Sequence, residues 1–240
     1  VTSDAPVLVA CSHGTRSAAG RATVEELREE LRRARPGLDV RAAHVDVQEP
    51  ELGAVLRELR DTGRRGVVVP LLLSSGYHVR VDIAEALQGS GGLAVAAPAL
   101  GPDEVVTSVV RRRLEEALGG SAEDFGGSVV LAAAGSSDAR AAADVEEAVA
   151  SLARSLGRPV TSGFLSAQTP TVADAVSAAR AAGARRVAVA AYLLAPGVFS
   201  ARLTEAGADV VAEPLGPHPD LVRLVLDRYD AALAGLPATV

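Results

Sequence analysis

The sequence predicts an α/β fold of two similar domains, each a parallel four-stranded sheet flanked by helices. Three observations carry this. Short, continuous Val/Leu runs alternate with amphipathic stretches, the pattern of parallel strands covered on both faces by helices. The alternation passes through four strand-helix pairs and then starts again. The chain also matches itself at a shift of about 121 residues: 9–14 (Val-Ala-Cys-Ser-His-Gly) lie over 130–135 (Val-Leu-Ala-Ala-Ala-Gly), Gln48-Glu-Pro50 over Gln168-Thr-Pro170, and 72–76 over 193–197.

In chain order, residues 6–11 read as the first strand, and the helix after it carries Val24, Leu27 and Leu31 on one face. Residues 40–47 read as the second strand. Pro50 then suits a first helical turn, and Leu52, Val55, Leu56 and Leu59 follow at i, i+3, i+4 and i+7. Strands at 66–73 and 93–97 complete the first set; 128–133, 159–166, 187–194 and 209–213 form the second. Leu100-Gly-Pro102 recurs as Leu215-Gly-Pro217 before each closing helix. The glycine-rich stretch 119–127 has no apolar period and reads as a linker, giving domains 1–120 and 128–240 joined by 121–127.

Composition narrows the function classes. A chain of 240 residues, 48% hydrophobic and 22% charged, can bury two ordinary cores and is not disordered; a monomer with two pseudo-symmetric halves is expected. The most apolar stretch, 187–199, is broken by Pro196 and Gly197 and is shorter than the ~20 residues a membrane span needs. A net charge of -6, three Tyr, three Phe and no Trp argue against a nucleic-acid surface. All basic residues are Arg, which excludes a lysine Schiff base. The opening Val-Thr-Ser-Asp has no basic segment before an apolar run, and the single Cys11 cannot form an internal disulfide; a cytoplasmic location is the expectation.

Ligands of parallel α/β sheets bind beyond the carboxyl ends of the strands, and chemistry-bearing residues collect there. His13 follows the first strand in Ser12-His13-Gly14-Thr15-Arg16, His44 and Asp46 close the second, and His78 follows the third in Ser74-Ser75-Gly76-Tyr77-His78. His44 and Asp46, two apart on an extended strand, are expected on one face. The second copy has Ala134, Phe164, Phe199 and Ser166 at the matching places, so the polar groups are lost together. Up to three imidazoles and a carboxylate suit a borderline divalent metal such as Fe, Co, Ni or Zn. Gly14 and Gly76 read as room for backbone near a bulky ligand. His218, beside Pro217 and Pro219, reads as a turn residue. No Gly-x-Ser-x-Gly elbow and no phosphate-cradling glycine motif is present, which weakens serine-hydrolase and nucleotide readings.

At these residues the sequence resembles the class II chelatases of the sirohydrochlorin chelatase type, the CbiX and SirB group, in its long duplicated form. The matching features are Ser12-His13-Gly14-Thr15-Arg16, the acidic residue at the end of the second strand with Pro50 four further on, and the run from Pro70 through Gly76, Tyr77 and His78 to Asp82-Ile83. The resemblance implies two chelatase-like domains facing each other across an active-site cleft. It further implies insertion of Co2+ or Fe2+ into a polycarboxylate tetrapyrrole in cobalamin or siroheme biosynthesis, with Ni2+ or Zn2+ accepted in vitro and no cofactor beyond the metal substrate. Carried over, His13 and His78 bind the incoming metal and help take the pyrrole protons. Asp46 stands where the family commonly has a glutamate. His44 stands where an aromatic residue would be expected and could extend the ligand set. Arg16 and Arg80 could pair with substrate carboxylates, with Gly14, Ser75, Gly76 and Tyr77 around them. Imidazole, with a pKa near ~6.5, supplies a base at neutral pH. The rival readings are a metal or tetrapyrrole carrier without turnover and a hydrolase using a zinc-bound water.

Overall fold

The computed structural model describes residues 5–74 and 76–236, with the side chains of 77–80 outside that description. Among the described residues, eight strands and eight helices alternate in sequence. The first sheet contains β1 (Val7–Ser12), β2 (Val40–His44), β3 (Gly66–Pro70) and β4 (Ala94–Ala96) in the order β2-β1-β3-β4. The second contains β5 (Ser128–Ala133), β6 (Val160–Phe164), β7 (Val187–Tyr192) and β8 (Val210–Val211) in the order β6-β5-β7-β8. Every pairing is parallel. The central strands β1, β3, β5 and β7 are almost wholly buried, which is why their sequences are continuous apolar runs rather than alternating ones.

The helices are α1 (Ala18–Ala34), α2 (Leu52–Asp61), α3 (Tyr77–Gln88), α4 (Glu104–Leu118), α5 (Ala139–Leu156), α6 (Val172–Ala181), α7 (Val198–Leu203) and α8 (Pro219–Leu233). Each long connection is the crossover that a parallel pair requires. The Ser17 hydroxyl caps α1 by accepting from the Gly20 amide, and Val24, Leu27 and Leu31 form its buried face. The helix α2 begins at Leu52, with Glu51 as its cap, so Pro50 lies just ahead of the helix and not in its first turn. Leu52, Val55, Leu56 and Leu59 pack with Val7, Val9, Cys11 and Val68 on one face of the first sheet. Four fully buried strand residues and four helical ones, at ~1.5–3 kcal/mol for each larger side chain, make this face a main source of the domain's stability.

The closing helices depart from the order expected from the repeat. Residue contacts divide the chain into one unit that runs to Leu100 and resumes at Pro217, and another that spans Gly101–Gly216. Thus α4 packs on α5 and β7 in the second unit, while α8 packs on α1, β3 and β4 in the first. The boundary at 121–127 follows the sequence repeat, whereas the packing units change over at 100/101 and 216/217. Nor is 121–127 a loose tether. Ala122 and Phe125 are buried, and the Arg158 guanidinium donates to the carbonyls of Phe125 and Gly127. Within the first unit, α8 is fastened by the Tyr229 hydroxyl donating to the Pro6 carbonyl at 2.6 Å and by a bidentate pair between Arg35 and Asp230 at 2.5 and 2.6 Å. No helix among the described residues is long and apolar enough to cross a membrane.

Candidate functional site

The site forms where β1 and β2 end. The ladder between them continues past both strands: the Val45 amide donates to the Ser12 carbonyl at 3.0 Å and the Asp46 amide to the His13 carbonyl at 2.9 Å. Backbone pairing therefore brings the His13 and Asp46 loops together, and both side chains are exposed. The Asp46 carboxylate accepts from the Val47 amide at 2.7 Å, which holds it at the turn.

The loop's shape depends on Gly14. It adopts φ 97°, and a Cβ there would stand 2.0 Å from the Asp46 carbonyl oxygen. The glycine thus makes room for the neighbouring loop itself. In the second copy Gly135, at φ 87°, meets the Ser166 carbonyl in the same way. Gly76 caps α3 with φ -61° and ψ 158°, ordinary extended backbone that needs no glycine.

Gln48 is a further residue of the site, beyond those the sequence pointed to. Its side-chain oxygen accepts from the Thr15 amide at 3.2 Å, clamping the loop after His13 to the loop after Asp46. Gln168 does the same to Ser136 at 3.3 Å. The signal was present in the sequence, because Gln48-Glu-Pro50 and Gln168-Thr-Pro170 align; a residue kept in the copy that lost its ligands serves the scaffold.

His44 and Asp46 do not share a face. The strand ends at His44, so the strand's period of two does not carry on to Asp46, and the chain turns at Val47, φ 51°. His44 is 2% exposed and its Nδ1 lies 2.9 Å from the Ser12 hydroxyl, while Asp46 faces solvent. Burial, reinforced by the Arg28 charge, pushes the His44 imidazole down to about 4, so it is neutral at pH 7. Cys11 lies on the other face of the sheet, wholly buried, and burial pushes its thiol up to about 12. It offers no thiolate.

His78 and Arg80, expected on a loop, stand in the first turn of α3. Their side chains, with that of Tyr77 and the whole of Ser75, lie outside the described residues. Arg16 is exposed, and its carbonyl accepts from Arg21 at 2.9 Å. His218 caps α8, its Nδ1 accepting from the Asp220 amide at 3.1 Å, in keeping with a turn role. Among the described residues no three His, Cys, Asp or Glu side chains gather into a metal set.

In the second copy the same backbone carries different groups. The Leu165 amide donates to the Ala133 carbonyl at 3.0 Å, as Val45 does to Ser12, but the Ser166 hydroxyl turns back onto the Ala134 carbonyl at 2.8 Å and no imidazole or carboxylate is present there. The loop scaffold is duplicated; the coordinating groups are not.

A model of one protein family, CbiX, matches residues 7–117 and again 128–232. The chain belongs to the CbiX family. This double match agrees with the internal repeat and with the resemblance carried by the His13 and His78 motifs. A sirohydrochlorin cobaltochelatase of Methanosarcina barkeri (strain Fusaro / DSM 804) is 29% identical over 124 residues, covering 46% of this CbiX-family chain and 95% of that protein. Among solved structures, SirB from Bacillus subtilis with Fe3+ matches with a TM-score of 0.80 and 22% identity, over 96% of this chain and 97% of that one. A structure described as CbiX, the terminal enzyme for biosynthesis of siroheme in denitrifying bacteria, matches with a TM-score of 0.67 and 22% identity, over 95% and 99%. At these identities the structural matches establish the shared fold.

Proposed function

We propose that this CbiX-family protein inserts a divalent metal, Co2+ or Fe2+, into sirohydrochlorin or a near relative, as a step toward cobalamin or siroheme. One observation carries the reading. Only the first copy of the duplicated scaffold places an exposed imidazole and an exposed carboxylate, His13 and Asp46, on loops locked to each other by the Asp46 amide on the His13 carbonyl. Family membership and the names of the relatives support it: one is a sirohydrochlorin cobaltochelatase, and SirB has been solved with Fe3+ and with cobalt.

The chemistry asks for little else. Metalation removes two N–H protons from the macrocycle while the metal sheds water, so the site needs groups that bind a metal weakly enough to release it and can accept protons near neutrality. His13 serves as both ligand and base, with His78 on the first turn of α3 as its partner. Asp46 supplies negative charge to balance the cation. Being one methylene shorter than a glutamate, it is held close to the backbone by its bond to Val47, which favours a fixed over a reaching carboxylate. Arg16 on the exposed rim pairs with a substrate carboxylate.

The test is direct. Purified protein with sirohydrochlorin and Co2+ or Fe2+ is expected to accelerate the spectral change of metalation. His13→Ala should reduce that rate at least 100-fold, and Asp46→Ala at least tenfold. Wild-type rates in both variants would remove the proposed roles, and tetrapyrrole binding without any acceleration would favour a carrier.

A further inference from the structure

Beneath the His13 loop lies a set of buried polar side chains that the reaction above does not use. Arg28 on α1 is 2% exposed, Ser12 6% and His44 2%. One terminal nitrogen of Arg28 donates to Glu25 at 3.2 Å; the other donates to the Ala10 carbonyl at 3.2 Å and reaches the Ser12 hydroxyl at 3.5 Å. Its Nε is buried without a partner. Arginine can only donate, so the Ser12 oxygen accepts from Arg28, and the same hydroxyl lies 2.9 Å from His44 Nδ1, which joins the three side chains.

The second copy builds the same place from apolar groups. Ser12 pairs with His44 across β1 and β2, and Ala133 with Phe164 across β5 and β6. Leu27, Arg28 and Leu31 on α1 have the spacing of Ala148, Val149 and Leu152 on α5, and all six are buried. Ala133, Val149 and Phe164 therefore stand for Ser12, Arg28 and His44. A buried charge with an unmet donor is costly, and apolar replacements of similar bulk are commonly neutral or stabilising. This fold fills the same positions with apolar groups in its own other half, a smaller valine standing for the arginine, so covering the strand ends does not require the polar version.

Its location does. Ser12 directly precedes His13, His44 lies two residues before Asp46, and the two backbone bonds joining the loops start at these strand ends. We propose that Ser12, His44 and Arg28 are positioning residues that hold the His13 and Asp46 loops at a set separation for handling the metal substrate. This rests on the proposed reaction for its purpose, not for its geometry. Arg28 anchors β1 through Ala10 and Ser12, and Ser12 anchors β2 through His44, so the helix, both strands and both loops move as one piece.

The test exchanges the set for the residues of the second copy, Ser12→Ala, Arg28→Val and His44→Phe together in the full chain, with Ser12→Ala alone as the variant that spares folding. Two measurements are made: amide hydrogen exchange at Val45 and Asp46, and initial metalation rates with Co2+ and sirohydrochlorin varied separately. The expected result is a folded triple variant whose two amides exchange at least tenfold faster, whose KM for Co2+ rises at least tenfold, and whose KM for the tetrapyrrole stays within twofold. The single variant should move the same way by a smaller factor. Unchanged exchange overturns the proposal, as does an unchanged KM for Co2+ or a loss of kcat that only tracks the folded fraction. If the wild-type protein does not accelerate metalation at all, the proposed reaction fails, and the exchange rates still decide whether the set holds the loops.

Discussion

Replacing His44 by Phe, the residue of the matching position 164, should remove a defined share of the acid sensitivity of this protein. Burial, and then the Arg28 charge, hold the folded His44 imidazole at about 4 against an ordinary 6.5. A group whose pKa is lowered by folding binds its proton first in the unfolded chain, so acid favours unfolding. Its contribution is intact above pH ~6.5, is lost as pH falls from there to about 4, and does not change further once the folded protein also takes the proton. At ~1.36 kcal/mol per pH unit the loss across that window is about 3 kcal/mol, a large part of the roughly 5–15 kcal/mol that stabilises a domain. The assay is urea unfolding of wild type and His44→Phe at several pH values between 7 and 4, following the unit that carries β1 and β2. Carboxylates held low by arginine partners, such as Asp39 and Asp230, are common to both proteins and cancel in the difference. The stability difference should shift in favour of the variant by about 3 kcal/mol from pH 7 to pH 4. Parallel curves would show that burial does not hold His44 neutral.

Gly14→Ala should destabilise the first unit by about 3 kcal/mol or more, because a left-handed φ and a Cβ 2.0 Å from the Asp46 carbonyl act together; thermal unfolding checks it, and a change below 1 kcal/mol would contradict the close approach. Val47 is a β-branched residue at φ 51° and is 46% exposed, so Val47→Gly should relieve strain and raise stability by about 1 kcal/mol, read from the same transition. Deleting residues 217–236 and the tail beyond should abolish cooperative unfolding of the first unit while leaving that of the second. The buried Leu221, Val222, Leu224, Val225, Leu226 and Tyr229 of α8 represent on the order of 10 kcal/mol of burial, as much as a whole domain's stability. Circular dichroism with hydrogen exchange separates the two units.

The fold class was legible because parallel strands covered on both faces leave an unmistakable composition: β1, β3, β5 and β7 are continuous apolar runs, and the helices between them keep the 3.6-residue period. The ends of the outer strands were less so. β2 was expected to reach 47 and stops at His44, because the turn through Asp46 and Val47 is imposed by contacts with the His13 loop and leaves no local apolar signature. The same error placed His44 beside Asp46. Once the strand ends, the period of two no longer applies, and a histidine read as a ligand becomes a buried neighbour of Ser12. The loop role of Gln48 is legible in the repeat, because Gln168 keeps both its place and its bond in the copy that lacks the histidines.

The amino-acid sequence alone settles the doubling of the α/β unit, the two matches to the CbiX family and the arrival of His13 and Asp46 at one sheet edge, since each follows from local periodicity, self-similarity and the direction of parallel strands. Only the tertiary structure decides that α8 closes the first unit and α4 the second, that His44 lies beneath the surface with Arg28, and that Gly14 yields to the Asp46 carbonyl. The two closing helices are comparably amphipathic and could each cover either sheet as far as pattern goes. Which sheet each one covers depends on side-chain fit and on anchors such as Tyr229 to Pro6, contacts between residues more than two hundred positions apart that no local pattern encodes.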